Sequence, residues 1–124
     1  MTAIREFRIH RFGGPEVLAP DEVEPSLPDA SQVLVAVKAA GVNPVDFKIR
    51  NGKYPAVKED RLPYTLGRDV SGVVEKCGAQ ATAFEVGDEV FGMVGIAGGG
   101  YAGSHAAHCN RPAHKPCRRA LWPQ

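Results

Sequence analysis

Apolar and polar positions alternate along most of this chain in short runs that end at glycines and prolines. Ile4 to Arg11, IREFRIHR, alternates apolar with charged residues and stops at Gly13-Gly14-Pro15, which predicts a half-buried strand closed by a turn. Val33 to Ala40, VLVAVKAA, opens with a β-branched residue at every second position and predicts a strand buried on at least one face. Between these two, Ala19 to Ser31 is acidic and holds Pro20, Pro25 and Pro28, so it can form an edge strand but not a central one. Val70 to Lys76 and Glu89 to Val94 read as further strands, the second introduced by a Gly87-Asp88 turn. Strands at this spacing predict a mainly β fold in the form of a small closed or partly open barrel.

One helical signal interrupts the strands. Asn43 can cap a helix with its side-chain oxygen, Pro44 suits the first helical turn, and Gly52 can take the left-handed position past the end. The helix is expected to be about two turns long. A capping asparagine has a rigid backbone, so Asn43 could also present its carbonyl or amide to a ligand from a fixed point, although from spacing alone plain capping is the commoner case. Tyr54, before Pro55, is expected in extended, partly exposed chain. Its hydroxyl could donate to a substrate oxygen, or its ring could simply pack on the barrel with the hydroxyl in water. Asp46 and Arg50 stand four apart and are expected to form a helical ion pair contributing about 0.2 to 0.5 kcal/mol.

Composition narrows the class. A chain of 124 residues has room for one modest core and for no second domain. Its formal net charge of +1 favours neither nucleic acid nor a membrane surface as partner. The sign is unevenly spread: 11 basic and 14 acidic residues up to Ala102 leave −3, after which four basic residues follow with no acid. No apolar run approaches the roughly 20 residues of a membrane span, and MTAIREFRIH lacks the apolar core of a signal peptide. Three cysteines, Cys77, Cys109 and Cys117, are an odd number without a secretion signal, which argues against a disulfide framework. These readings predict a soluble cytoplasmic protein.

Five segments in order, RFGGPEVL, VLVAVKAAGVNPVDFKIRNGKYP, LPYTLGRDVSGVVEKCG, FEVGDEVFGM and GGGYA, closely resemble the N-terminal catalytic domain of the zinc-independent quinone oxidoreductases, the zeta-crystallin-like branch of the medium-chain dehydrogenase/reductase superfamily. The resemblance spans roughly residues 4–102 and implies a GroES-like partly open β-barrel with one or two short helices. In the zinc-dependent branch the matching positions carry Cys and a Gly-His-Glu motif; here they read Asn43, Arg68 and Asp69, and neither asparagine nor arginine replaces thiolate or imidazole on zinc. The resemblance therefore implies a metal-free site. It also implies reduction of a quinone or activated enone with NADPH, with Asn43 and Tyr54 lining the cleft as positioning groups and Asn43 on the nicotinamide side. Gly67, Asp69 and Gly72 match the family pattern as backbone-turning and packing residues.

The same comparison implies that the nucleotide-binding domain and a returning C-terminal segment lie beyond this stretch, so the chain is expected to be inactive and not to bind NADPH alone. Gly98, Gly100 and Gly103 do fit G-x-G-x-x-G, but no helix pattern follows and no acid lies downstream, so they read as a glycine-rich turn. We divide the chain into a GroES-like part, residues 1–102, and an irregular basic tail, residues 103–124. The tail carries His105, His108, Cys109, His114 and Cys117, yet its spacing fits no finger, and Pro112 and Pro116 oppose the helix that fingers use. An interruption of the family sequence near Gly103 accounts for its composition.

Three functions are weighed. The first is the barrel part of a quinone-type oxidoreductase, supplying the substrate side of the cleft and self-associating through surface the rest of the enzyme would cover. The second is a stand-alone GroES-like binding or assembly module without catalysis. The third is a metal- or nucleic-acid-binding protein working through its tail, which zinc stoichiometry and salt-dependent binding would reveal.

Overall fold

The computed structural model describes residues 3–95 and 98–108. Its strands are β1 (Ile4–Ile9), β2 (Leu18–Val23), β3 (Gln32–Gly41), β4 (Tyr64–Thr65), β5 (Asp69–Cys77), β6 (Glu89–Met93) and β7 (Ser104–His108), with one α-helix, α1 (Pro44–Arg50), between β3 and β4. Every pairing is antiparallel, giving a three-stranded sheet in the order β2-β1-β4 and a four-stranded sheet in the order β6-β5-β3-β7.

The alternation along Ile4 to Arg11 does what it predicts: β1 turns alternate residues inward and ends on the fully buried Ile9. β2 carries Pro20 opposite Phe7 and lies at a sheet edge, where a missing N–H leaves no interior ladder bond unmade. β3 lies inside its sheet, between β5 and β7, with Val33, Leu34 and Val35 buried. Its register against β5 shifts twice, once between Val37 and Ala39, so the strand bends as a barrel wall must.

Two apolar clusters form the core. Ile9, Val17, Ile49, Val57, Tyr64 and Leu66 gather where α1 and the loop after it meet the smaller sheet. Val33, Val35, Val74 and Ala81 gather on the larger sheet, with Phe84 and Val90 against them. Residues 98–103 join the two sheets. Gly99 and Tyr101 donate their N–H groups to Thr65 and Leu66, Phe7 donates to Tyr101, Gly103 donates to Arg5, and Val37 donates to Gly103.

Two observations differ from the sequence reading. The sheet continues past residue 102, because β7 pairs along β3 from Gln32↔His108 to Ala36↔Ser104; the remainder of the basic tail lies outside the described residues. Asp46 and Arg50 do not pair. Asp46 is 3% exposed and accepts from three N–H or O–H donors, while the Arg50 Nε donates to the Gly13 carbonyl at 3.3 Å. A carboxylate on the buried face of α1 meets backbone and hydroxyl donors there, whereas the arginine on the next turn runs toward the β1 loop.

Candidate functional site

Asn43 stands at the N-terminus of α1 with extended backbone, and Pro44 occupies the first helical turn. Asn43 and Asp46 form a capping box in which the Asn43 N–H donates to Asp46 Oδ2 at 2.8 Å. At the other end of the helix Gly52 takes φ +80° and donates its N–H to Ile49. The cap and the stop expected from sequence are both present.

The side chain of Asn43 reaches a residue that local rules do not bring near it. Its Nδ2 donates to Asp69 Oδ2 at 2.6 Å, across 26 positions of sequence, because Gly41 and Asp69 are register partners where β3 and β5 meet. Two of the three positions that the resemblance sets against zinc ligands, Asn43 and Asp69, thus hold each other. The third, Arg68, turns away: its Nε donates to the Val94 carbonyl at 3.2 Å, and its own carbonyl accepts from the Val94 N–H. Among the described residues no group of three or more His, Cys, Asp or Glu side chains converges on a point where a metal could sit.

Apolar surface borders the polar pair. Val42, beside Asn43, is 82% exposed, and Met93, the register partner of Asp69, is 75% exposed. Tyr54 lies apart. Its ring packs against the Ile9–Ile49–Tyr64 cluster, and its hydroxyl makes no hydrogen bond to another described residue. No hydrogen bond joins Tyr54 to Asn43. An open depression of about 490 Å³ is lined by Phe7, Lys38, Val42 and Tyr101 among others, and neither Asn43 nor Tyr54 lines it.

The glycine-rich run is a packing device. A Cβ on Gly98 would come within 2.3 Å of the Thr65 carbonyl oxygen, and Gly100 donates its N–H to Gly67 at 3.0 Å. These backbones touch β4 and the turn before β5; they do not open a helix, so they form no cradle for a dinucleotide phosphate. The glycine-rich run itself does not fit the phosphate end of NADPH. His105 lies against Gly99, which leaves no room for a Cβ there; Cys109, His114 and Cys117 lie outside the described residues.

Tyr101 connects this run to α1. Its hydroxyl donates to Asp46 Oδ2 at 3.1 Å, and burial, then the negative charge of Asp46, pushes the phenol up to about 12. Burial also raises the Tyr64 phenol. Neither tyrosine carries a sequence signal that separates it from an ordinary core aromatic.

Comparison with known proteins agrees with this architecture. The family model for the alcohol dehydrogenase GroES-like domain matches residues 29–121, a match that runs across Gly103 into the tail. The chain belongs to this family of GroES-like domains. A quinone oxidoreductase of Lama guanicoe is 46% identical over 97 residues, covering 77% of this chain and 29% of that protein, and the human quinone oxidoreductase gives the same figures. The quinone oxidoreductase structure from Coxiella burnetii superposes with a TM-score of 0.83 at 32% identity, covering 86% of this chain and 35% of that one. An Escherichia coli quinone oxidoreductase solved in complex with NADPH gives a TM-score of 0.76 at 33% identity, covering 84% and 31%. Within the medium-chain dehydrogenase/reductase superfamily the chain falls with the quinone oxidoreductases, of which it corresponds to the N-terminal domain. It spans less than a third of the length of the curated relatives it matches.

Proposed function

We propose that this chain forms the substrate side of the cleft in a metal-independent, NADPH-dependent oxidoreductase acting on quinones or activated enones, and that by itself it does not turn over. The observation that carries this reading is the Asn43–Asp69 hydrogen bond of 2.6 Å. Where a zinc ion would polarise a carbonyl, this chain has a side-chain amide held in one orientation by a carboxylate. An asparagine amide has two N–H hydrogens, and Asp69 takes one of them. The second is available to a carbonyl oxygen on which negative charge grows during reduction, and a donor already held in place stabilises that charge without reorganising.

Tyr54 is a second donor in this reading, since its hydroxyl makes no bond to another described residue. The exposed apolar surface of Val42 and Met93 suits the flat apolar body of a quinone. Reduction needs a hydride donor of the NADPH class, and the phosphate end of that donor must be held by residues other than those described.

Fluorescence titration of NADPH with and without duroquinone, followed by an NADPH-oxidation assay, tests the proposal on the chain as it stands. We expect no saturable NADPH binding and no oxidation above the buffer rate. Tight NADPH binding or turnover by this chain alone would overturn it. A metal-dependent alternative is checked by adding zinc, which should leave the Asn43 side-chain amide resonances unmoved.

A further inference from the structure

Asp46 is the most deeply buried carboxylate among the described residues, and the function above does not use it. Its donors come from three separate stretches of chain. Oδ2 accepts from the Asn43 N–H at 2.8 Å and from the Tyr101 hydroxyl at 3.1 Å, and Oδ1 accepts from the Gly67 N–H at 3.2 Å. No ion pair to Asp46 forms among the described residues, so these three donors are what makes a buried carboxylate tolerable there.

The bonds close on themselves. Gly67 stands two residues before Asp69, and Asp69 holds the Asn43 side-chain amide at 2.6 Å. Asp46 therefore grips Asn43 twice: directly at its backbone N–H, and indirectly through the Gly67 turn that aims Asp69 at its side chain. We infer that Asp46 is the positioning residue for Asn43, fixing both the backbone and the amide of that residue by closing a ring of hydrogen bonds through Gly67 and Asp69. The inference rests on the proposed role of Asn43 at the substrate, but the ring can be measured without substrate.

An amide at position 46 cannot serve the ring. Asparagine has one acceptor oxygen and one NH₂ group, so whichever way it is turned, its NH₂ meets either the Gly67 N–H or the Asn43 N–H. The Tyr101 hydroxyl can rotate to accept; the two backbone groups cannot. The variant Asp46→Asn should therefore free Asn43, whereas Tyr101→Phe removes a donor outside the ring and should leave Asn43 in place.

The test uses isotope-labelled full chain and two readouts. In the unmodified protein, couplings transmitted through the hydrogen bonds should link the Asn43 and Gly67 amide nitrogens to the Asp46 carboxyl carbon. Their absence overturns the inference, and this measurement needs no folded variant. In Asp46→Asn the Asn43 side-chain amide should exchange with solvent about tenfold or more faster, while Tyr101→Phe keeps it within about twofold of the unmodified protein. Equal acceleration in both variants would mean general loosening and would overturn the inference.

Duroquinone binding then separates the two proposals. If the chain binds duroquinone, Asp46→Asn should weaken binding in the unmodified background and add nothing in an Asn43→Ala background; a further loss in that background overturns the positioning role. If the chain does not bind duroquinone while the couplings and exchange behave as stated, the substrate role of Asn43 fails and the positioning by Asp46 stands.

Discussion

Asn43, Asp69 and Tyr101 are single residues whose partners give them measurable signatures. Asn43→Asp sets a second carboxylate against Asp69, where the amide now donates at 2.6 Å. Two carboxylates at that separation cannot both ionise without cost, so one of them titrates above its ordinary range. The variant should be less stable than the unmodified protein at pH 7 and recover toward it as pH falls through 5, because the folded form then holds a proton that the unfolded chain does not; urea melts across that interval check it. Tyr101 works at the other end of the scale. Its phenol ionises near 12 in the folded protein against 10.0 in free tyrosine, so between those values the unfolded chain gives up its proton first. Stability present below pH 10 should thus be lost as pH rises toward 12, and Tyr101→Phe should remove that part of the alkaline loss while costing about 1 kcal/mol at neutral pH for the missing hydrogen bond. At this scale the sequence was readable only for local chemistry. The roles of Asn43, Pro44 and Gly52 at the helix ends are decided within a few residues, so they could be read directly. Asp46 was not readable, because its partners Gly67 and Tyr101 lie 21 and 55 positions away while Arg50 lies temptingly one turn along.

Elements are held by what they bury and by how closely backbones approach. α1 is only seven residues long and too short to persist alone, so Ile49, fully buried in the cluster with Ile9 and Tyr64, anchors it. Ile49→Ala should destabilise the fold by about 2 to 5 kcal/mol in denaturant unfolding. The turn before β5 has a different constraint. Gly67 sits at φ +101°, and a Cβ there would lie 2.6 Å from the Tyr101 backbone nitrogen, whereas a Cβ on Gly92 in β6 meets nothing within 4 Å. Gly67→Ala should cost more than about 2 kcal/mol, combining left-handed strain with a backbone clash, and Gly92→Ala should stay within about 0.5 kcal/mol of the unmodified protein. Comparable losses in the two variants would contradict the close-approach role of the glycine-rich turn. The elements themselves were largely legible, since alternation and breakers mark strands of five or more residues. β4 was missed because two residues, Tyr64 and Thr65, carry no period; β7 was missed because its SHAAH sequence lacks the β-branched residues that announce a strand.

The whole molecule presents edges and apolar surface together. β6 ends its sheet and carries Phe91, 43% exposed, and Met93, 75% exposed; β2, at the edge of the other sheet, is instead studded with acids. Unpaired strand edges beside apolar side chains favour association between copies. We expect sedimentation velocity to show a weight-average mass that rises with concentration, and the pair of changes Phe91→Lys and Met93→Lys to bring it toward the monomer. A concentration-independent monomer would remove that expectation. No helix among the described residues is long and apolar enough to cross a membrane. The charge split, negative to Ala102 and positive after it, was read from composition alone and places no partner.

Taken alone, the amino-acid order located the longer strands, β1, β3, β5 and β6, and the one capped helix after β3, and its resemblance to the family set Asn43, Arg68 and Asp69 against the ligands of the zinc-dependent branch. The strand and helix features follow from period and caps, which act over a few positions; the zinc-ligand correspondence follows from the family resemblance. Only the tertiary structure decided that Asn43 bonds Asp69, that Arg68 turns to Val94, that Asp46 gathers Asn43, Gly67 and Tyr101, and that β3 lies between β5 and β7. Such partners are chosen by which strands lie side by side and by which donors must satisfy a buried carboxylate, and both conditions come into being only when distant segments pack.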